Sequence, residues 1–171
     1  MKVQPKQRNR SSRSARGFSL IELLIVVAVI LTIAAIAIPN FIRSKMRANE
    51  AAAVSNLRNI STAEVVYSTT YGIGFSSNLA KLGPPPGGSV LVDANNAGLI
   101  DDVLAAGVKT GYRFTYGAVD VNGDGVMDTY SVNGDPLNPG NTGQNYFFVD
   151  QTSVIKRNAS AVAGPSDPPI S

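Results

Sequence analysis

The sequence predicts an α+β protein in which one long amino-terminal α-helix packs against a small antiparallel β-sheet. Two observations predict this class. An apolar run at residues 18–38 continues into a polar stretch with helical periodicity, and apolar residues alternate with polar ones in short segments of the last third. We divide the 171 residues into a leader (1–17), an apolar helix (18–38), its amphipathic continuation (39–71) and a remainder (72–171) with loops, four strands and a Pro-rich tail.

Charge is distributed unevenly along the chain. The net charge of the chain is +3. The leader contains six of the fifteen basic residues and no acidic residue, whereas the remainder contains nine basic and twelve acidic residues. A basic block before an apolar run is a topology signal that stays in the cytoplasm, so we expect a leader removed on maturation and no nucleic-acid partner. The basic residues of the leader are Lys2, Lys6, Arg8, Arg10, Arg13 and Arg16.

The apolar run from Phe18 to Ile38 is long enough to cross a membrane. Its 21 residues include only one formally charged side chain, Glu22, and roughly 20 apolar residues span a bilayer core as a helix. A signal peptide has a shorter run followed by small residues at its cleavage site. Here a glycine, Gly17, precedes the run, and no Ala-x-Ala motif follows it. The order predicts cleavage before the run, which is retained as a single span.

Glu22 is a candidate functional residue, because inserting a carboxylate within a membrane helix costs about 2.5–3.5 kcal/mol on insertion scales. One explanation is that its side chain reaches the headgroups. The other is that it pairs with the α-ammonium that cleavage creates on Phe18, one helical turn away. In a core of packed helices neither charge can stay unpaired. The residues alone leave open whether that pair forms within one chain or between two.

Three segments resemble the type IV pilin family. They are Gly17-Phe18-Ser19-Leu20-Ile21-Glu22, then Ala35–Phe41, then Arg43–Glu50. The resemblance implies the pilin fold, cleavage after Gly17 by a prepilin peptidase, and N-methylation of Phe18 by the same enzyme. It also implies that Glu22 meets the amino terminus of a neighbouring subunit.

For the whole protein, the resemblance implies a homo-oligomeric helical filament. The precursor would lie in the lipid bilayer of the bacterial inner membrane, with a cytoplasmic amino terminus, and an inner-membrane assembly platform would build it into an extracellular filament. A type II secretion pseudopilin, which uses the same amino-terminal machinery, is the alternative. We expect that the protein is not an enzyme. The chain has no His and no Cys and therefore cannot form the Ser–His or Cys–His sites of nucleophilic catalysis.

The helix is predicted from Ser19 to Thr70, with a kink or local melting at Pro39 and Gly72 as its terminator. One stripe should pack on the sheet: Met46, Ala53, Leu57, Ile60, Tyr67 and Tyr71. Charged residues that fall mostly off it should form a solvated face: Arg43, Lys45, Arg47, Glu50, Arg58 and Glu64. The first three of these could instead lie at the outer membrane surface or at subunit contacts.

Residues 72–98 are predicted to be irregular, because the Pro-rich and Gly-rich segment 84–88 interrupts regular structure. One helical turn is predicted at Ser77–Leu82. A short helix is predicted at Leu99–Ala106. Four strands are predicted at Tyr112–Tyr116, Thr129–Val132, Tyr146–Val149 and Val154–Lys156. A loose tail is predicted at Gly164–Ser171. Without cysteines, the carboxy-terminal loop must be held by packing, backbone hydrogen bonds or a cation.

The segment 120–128 resembles the first part of a calcium loop. Oxygen ligands stand at its positions 1, 3, 5 and 9, and glycine stands at position 6. Position 12 is Ser131 where an EF-hand has glutamate, so Asp135 or backbone carbonyls would complete the site. The alternative is a hairpin connection that needs no metal. The possible calcium ligands are Asp120, Asn122, Asp124 and Asp128.

Overall fold

A computed structural model describes residues 17–88 and 91–170 of the chain. Of the predicted leader, residues 1–16 lie outside the described part. The chain divides into two compact units, of which the first ends at Pro39 and the second begins at Asn40. The long helix α1, Leu20–Tyr71, contains the boundary. Pro39 does not interrupt α1, so the helix does not melt there, and a kink stays a prediction.

The second half of α1 carries the stripe that the periodicity predicts. Ala53, Leu57, Ile60 and Tyr67 are buried in the main core cluster. The stripe residues at the two ends of this half, Met46 and Tyr71, are half-buried. The helix ends where predicted, because Gly72 follows it with φ 65°, a left-handed conformation that glycine adopts at little cost.

The connection between α1 and the sheet is less helical than predicted. A 3₁₀ turn covers Leu79–Leu82, and a shorter turn at Pro86–Gly88 is kinked at Gly87, whose φ of 70° is not helical. Helix α2 is only Asp102–Ala105, capped by Asp101. The predicted start at Leu99 is wrong, because the backbone N–H groups of residues 99 and 100 donate to the Leu82 carbonyl, at 2.8 and 3.0 Å.

The described residues form one antiparallel sheet of five strands in chain order, where the sequence predicted four. The additional strand, β1, pairs only two residues. The last strand begins at Lys156 and not at Val154, since the buried Ile155 before it packs into the core. The strands are β1 Val108–Lys109, β2 Tyr112–Val119, β3 Thr129–Pro136, β4 Tyr146–Asp150 and β5 Lys156–Asn158.

Alternate side chains of the sheet form the core with the buried stripe of α1. The pairing of β2 with β3 runs from Tyr112↔Pro136 to Val119↔Thr129, and this register places the buried residues of both strands on one face. The sheet residues in the core cluster are Tyr112, Phe114, Tyr130, Val132, Phe147 and Val149.

The carboxy-terminal segment is tied to the sheet, so the predicted loose tail is wrong for residues 164–170. The Arg157 N–H donates to the Pro168 carbonyl, and the Ile170 N–H donates to the Ile155 carbonyl, each at 3.0 Å. The Ile170 side chain packs against the core. Packing and backbone hydrogen bonds therefore hold this segment in a chain without cysteine.

Candidate processing, assembly and cation sites

The predicted cleavage bond lies just before the helix. Gly17 and Phe18 precede the first residue of α1, Leu20, and the Phe18 side chain is 78% exposed. A Cβ added at Gly17 would meet no atom of the described residues within 4 Å. The fold of this chain therefore does not itself require glycine at position 17.

Glu22 caps the helix on which it lies. Its Oε2 accepts a hydrogen bond from the Ser19 N–H at 2.9 Å, and the Ser19 carbonyl accepts from the Leu23 N–H at 3.2 Å. This back-contact is half of a capping box, in which a glutamate three residues after the cap satisfies the backbone N–H of the cap residue. The Ser-x-x-Glu signature of residues 19–22 is a local signal that the sequence prediction missed.

The apolar part of α1 is not covered by any other part of the described residues. It is long and apolar enough to cross a membrane, and its most apolar 18-residue window is 0% buried. Leu20 and Ile36 are 81% and 67% exposed. The Thr32 hydroxyl donates to the Ala28 carbonyl at 2.8 Å, so this polar group is satisfied within the helix.

The 120–128 loop uses its acidic side chains to bind its own backbone. The Asp120 carboxylate accepts from the N–H groups of residues 122, 123 and 125, at 3.2, 2.6 and 2.7 Å, and these bonds, led by that from residue 125, lower the pKa of Asp120. Asn122 accepts from the Asp124 N–H, and Asp124 accepts from the Val126 N–H. Asp128 accepts from the Val121 N–H at 2.8 Å.

The contacts between residues two positions apart, made by Asp120, Asn122 and Asp124, are Asx turns, which are typical of a hairpin connection. Within residues 17–88 and 91–170, no three Asp, Glu, His or Cys side chains are grouped so that they could hold a metal ion. Calcium binding by Asp120, Asn122, Asp124 and Asp128 stays a prediction. Asp135, suggested as a further ligand, lies on β3 with a buried Oδ1 that has no hydrogen-bond partner among the residues that the structure describes. Burial raises the pKa of Asp135, and the charge of Arg113 lowers it by less.

Glu64 is fully buried, which corrects its predicted place on a solvated face. Its Oε1 accepts from the Ser76 hydroxyl at 2.6 Å and from the Tyr116 hydroxyl at 2.8 Å. Its Oε2 accepts from the Ser76 N–H at 2.9 Å. The carboxyl group therefore joins α1, the segment that follows it and β2 through three hydrogen bonds.

Burial raises the pKa of the Glu64 carboxyl, although the hydrogen bonds from Ser76 and Tyr116 act in the opposite direction. Burial and then the charge of Glu64 raise the pKa of Tyr116. The Tyr116 ring stacks on Tyr130 with centroids 6.0 Å apart. The Tyr130 hydroxyl lies 3.0 Å from the Ser61 hydroxyl, back on α1, so a polar cluster lies under the sheet.

Glu50 is a second exception to the predicted solvated face, because it is half-buried and holds the β3–β4 loop. Its Oε1 accepts from the Gln144 and Asn145 N–H groups at 2.8 and 3.1 Å, and its Oε2 accepts from the Asn145 side chain at 2.8 Å. The neighbouring Asn49 side chain donates to the Thr142 carbonyl at 2.8 Å. The second half of this loop is therefore fastened to α1.

A cleft of about 400 Å³ opens beside that contact. The two arginines that line it, Arg43 and Arg47, are exposed. The residues around the cleft are Arg43, Met46, Arg47, Glu50, Gln144 and Asn145.

Comparisons with known proteins agree with the amino-terminal motif. The model of the prokaryotic N-terminal methylation motif matches residues 12–38. The type IV major pilin protein PilA of Myxococcus xanthus is 55% identical over 49 residues, which are 29% of this chain and 22% of that protein. The type IV wide pilus major component PilA4 of Thermus thermophilus is 39% identical over 70 residues, which are 41% of this chain and 53% of that protein.

The chain thus spans less than two thirds of those two relatives. A fimbrial protein of Pseudomonas aeruginosa is 32% identical over 132 residues, which are 68% of this chain and 85% of that protein. No solved structure matches the chain. A match of this length reaches beyond the exposed part of α1 into the core and the sheet. The chain has the predicted architecture of a long amino-terminal helix and a small antiparallel sheet. The chain therefore belongs to the type IV pilin family.

Proposed function

We propose that this pilus subunit is inserted in the inner membrane through residues 18–38, cleaved after Gly17 by a prepilin peptidase and methylated on Phe18. An inner-membrane platform then assembles it into an extracellular helical filament. One observation carries the proposal. An apolar helix long enough to span a bilayer is exposed along its length, while the other unit has a buried core of its own.

Such a helix needs a non-aqueous environment at every stage. Exposed apolar surface costs about 25 cal/mol per Å² in water, so the helix of the precursor belongs in lipid. In a filament the same surface is removed from water by the helices of other subunits. Mechanical cohesion then comes from helix packing, which makes the function structural and not enzymatic.

Glu22 gives the assembly a register. In the precursor its carboxylate binds the Ser19 N–H, a neutral donor. Cleavage creates an ammonium on Phe18, and a charged donor makes a stronger hydrogen bond than a neutral one. We propose that the carboxylate of one subunit binds the Phe18 ammonium of a neighbour, which fixes the axial stagger between them.

Mass spectrometry of filaments sheared from cells tests this function. We expect intact mass to give a chain that begins at Phe18 and carries one added methyl group, and electron microscopy to show helical filaments in the same fraction. Retention of residues 1–17 in filaments would contradict the processing. A subunit that stays in the cell envelope would favour the alternative, a type II secretion pseudopilin in a short periplasmic filament.

A further inference from the structure

We infer that the cleft between α1 and the β3–β4 loop binds the phosphate of an anionic phospholipid before assembly. The inference rests on the proposed membrane insertion. The cleft lies wholly in the second unit, and the guanidinium groups that line it belong to Arg43 and Arg47.

The two arginines form an uncompensated cationic pair. They are four residues apart on α1, a spacing that places side chains on the same helix face. Both are exposed, and neither has a hydrogen-bond or ion-pair partner among the described residues. Like charges at this spacing repel, so an anion bound between them relieves a cost that the free chain carries.

The one acidic group in the cleft is already engaged. The Glu50 carboxylate accepts three hydrogen bonds from Gln144 and Asn145, so it fixes the loop wall opposite the arginines. Two guanidinium charges against one carboxylate leave the cleft with a net charge of +1. Guanidinium groups bind phosphate oxygens through paired N–H donors, so the ligand chemistry that fits is a phosphate.

The place of the cleft along the chain favours a lipid as the source of that phosphate. Arg43 follows Ile38, the end of the apolar run, by five residues, or about 7.5 Å of helix rise. The polar headgroup layer on each side of a bilayer is about 5–8 Å thick. Phe41 and Ile42, directly before Arg43, are exposed apolar residues, as expected for a segment at the edge of the hydrocarbon layer.

The competing occupant is an acidic surface of a second copy. The chain without its leader carries three more acidic than basic residues, and acidic residues such as Asp124 and Asp128 are exposed. A protein contact would form only in the filament, whereas the phospholipid is present around every membrane-inserted precursor. The two occupants therefore differ in whether the unassembled chain already holds a ligand.

The test uses the full chain, purified from membranes in mild detergent and offered equal amounts of phosphatidylglycerol and phosphatidylcholine. Native mass spectrometry counts the lipids retained. The double variant Arg43→Gln/Arg47→Gln is compared with Arg58→Gln, which removes an exposed arginine of the same helix outside the cleft. We expect the wild type and Arg58→Gln to prefer phosphatidylglycerol at least fivefold, and the double variant to lose this preference.

Three controls separate the possible failures. Equal preference in all three proteins would overturn the cleft as a lipid site, and a loss of filaments in the double variant alone would then assign it to a subunit contact. Displacement of phosphatidylglycerol by millimolar inorganic phosphate would overturn the lipid as the source. Alkaline extraction of the wild-type chain from membranes would contradict the proposed membrane insertion itself, independently of the cleft.

Discussion

The first half of α1 is richer in aliphatic side chains than the second, and the two halves place these side chains in different surroundings. In the first half these side chains are exposed, with Leu31 at 63%. In the second half the apolar stripe is buried, and Leu57 and Ile60 are 0% exposed. The second half is covered by the sheet of the same chain, whereas the first half is uncovered among the described residues, and we propose that lipid and then other subunits cover it. An apolar side chain of α1 therefore stabilises the fold of the single chain only where the sheet covers it, and we propose that the exposed ones serve assembly.

The carboxylates of the helix repeat this difference. Glu22 makes one contact with its own helix terminus, at an exposed site. Glu64 makes three hydrogen bonds, two of them to Ser76, in the interior of the second unit. We expect changes at Glu22 to affect filaments without affecting unfolding, and changes at Glu64 to do the reverse.

The largest effect is expected at the cleavage site. Gly17→Val should abolish maturation, because the added side chain blocks the close approach of the peptidase to the backbone. The variant should still fold, since the space around Gly17 is open in this chain. Intact mass of membrane-extracted protein measures the outcome. A normal yield of chains that begin at Phe18 would contradict the prediction.

Glu22→Val should prevent or misregister polymerisation while membrane insertion is kept or improved. Glu22→Gln is the matched control, because its amide oxygen still accepts from the Ser19 N–H but carries no charge. If the charge pair with a neighbour sets the stagger, both variants should fail to form normal filaments. If only the cap matters, the Gln variant should form them with an unchanged helical rise in electron micrographs.

Leu57→Ala should destabilise the second unit by about 2–5 kcal/mol, the usual cost of a buried Leu→Ala change. Leu31→Ala, in the exposed half, should leave the free energy of unfolding nearly unchanged. Urea unfolding of both full-length variants in detergent, followed by circular dichroism, gives the comparison. Equal destabilisation would show that the first half also contributes to the fold of a single subunit.

Local patterns explain what the sequence predicts correctly. The stripe of α1 repeats every three or four residues, and Tyr112, Phe114 and Tyr116 alternate along β2. Both periodicities are visible without knowing the partner. The short strand β1 has no such pattern, because two residues are too few to repeat.

Long-range contacts explain what the sequence does not predict. The partners of Glu64 lie 12 residues away at Ser76 and 52 residues away at Tyr116, so no local pattern marks this glutamate as buried. The fastening of the loop by Glu50 likewise joins residues more than ninety positions apart. The Ser19–Glu22 cap is the opposite case, since its signal is local and readable.

Glu64 should give the unfolding free energy a pH dependence. Because its pKa is raised in the folded chain, the unfolded chain loses this proton first as pH rises. The stabilisation that protonated Glu64 contributes is fully present below about pH 4.5, the ordinary pKa of glutamate. This stabilisation is lost as the pH rises through the raised pKa of Glu64 in the folded chain.

Glu64→Gln should remove this slope, because an amide does not titrate. Asp101 and Asp120 have lowered pKa values and Asp135 a raised one, but all three are present in both proteins. The difference between the two stability curves from pH 4 to pH 8 therefore isolates Glu64. Parallel curves would mean that its carboxyl titrates as in the unfolded chain.

The smallest effect is expected from calcium at the 120–128 loop, where exposed carboxylates already bind backbone N–H groups. Binding to the folded state alone adds RT ln(1 + [L]/Kd) of stability, so calcium near its Kd should raise the melting temperature by about 1–3 °C over chelator. Asp124→Ala should abolish this increment. Asp102→Ala, which also removes an exposed acceptor of one backbone N–H, should keep it. Magnesium should do less, because it demands stricter octahedral geometry. Equal melting curves in calcium and chelator would assign the loop to a hairpin connection without a cation.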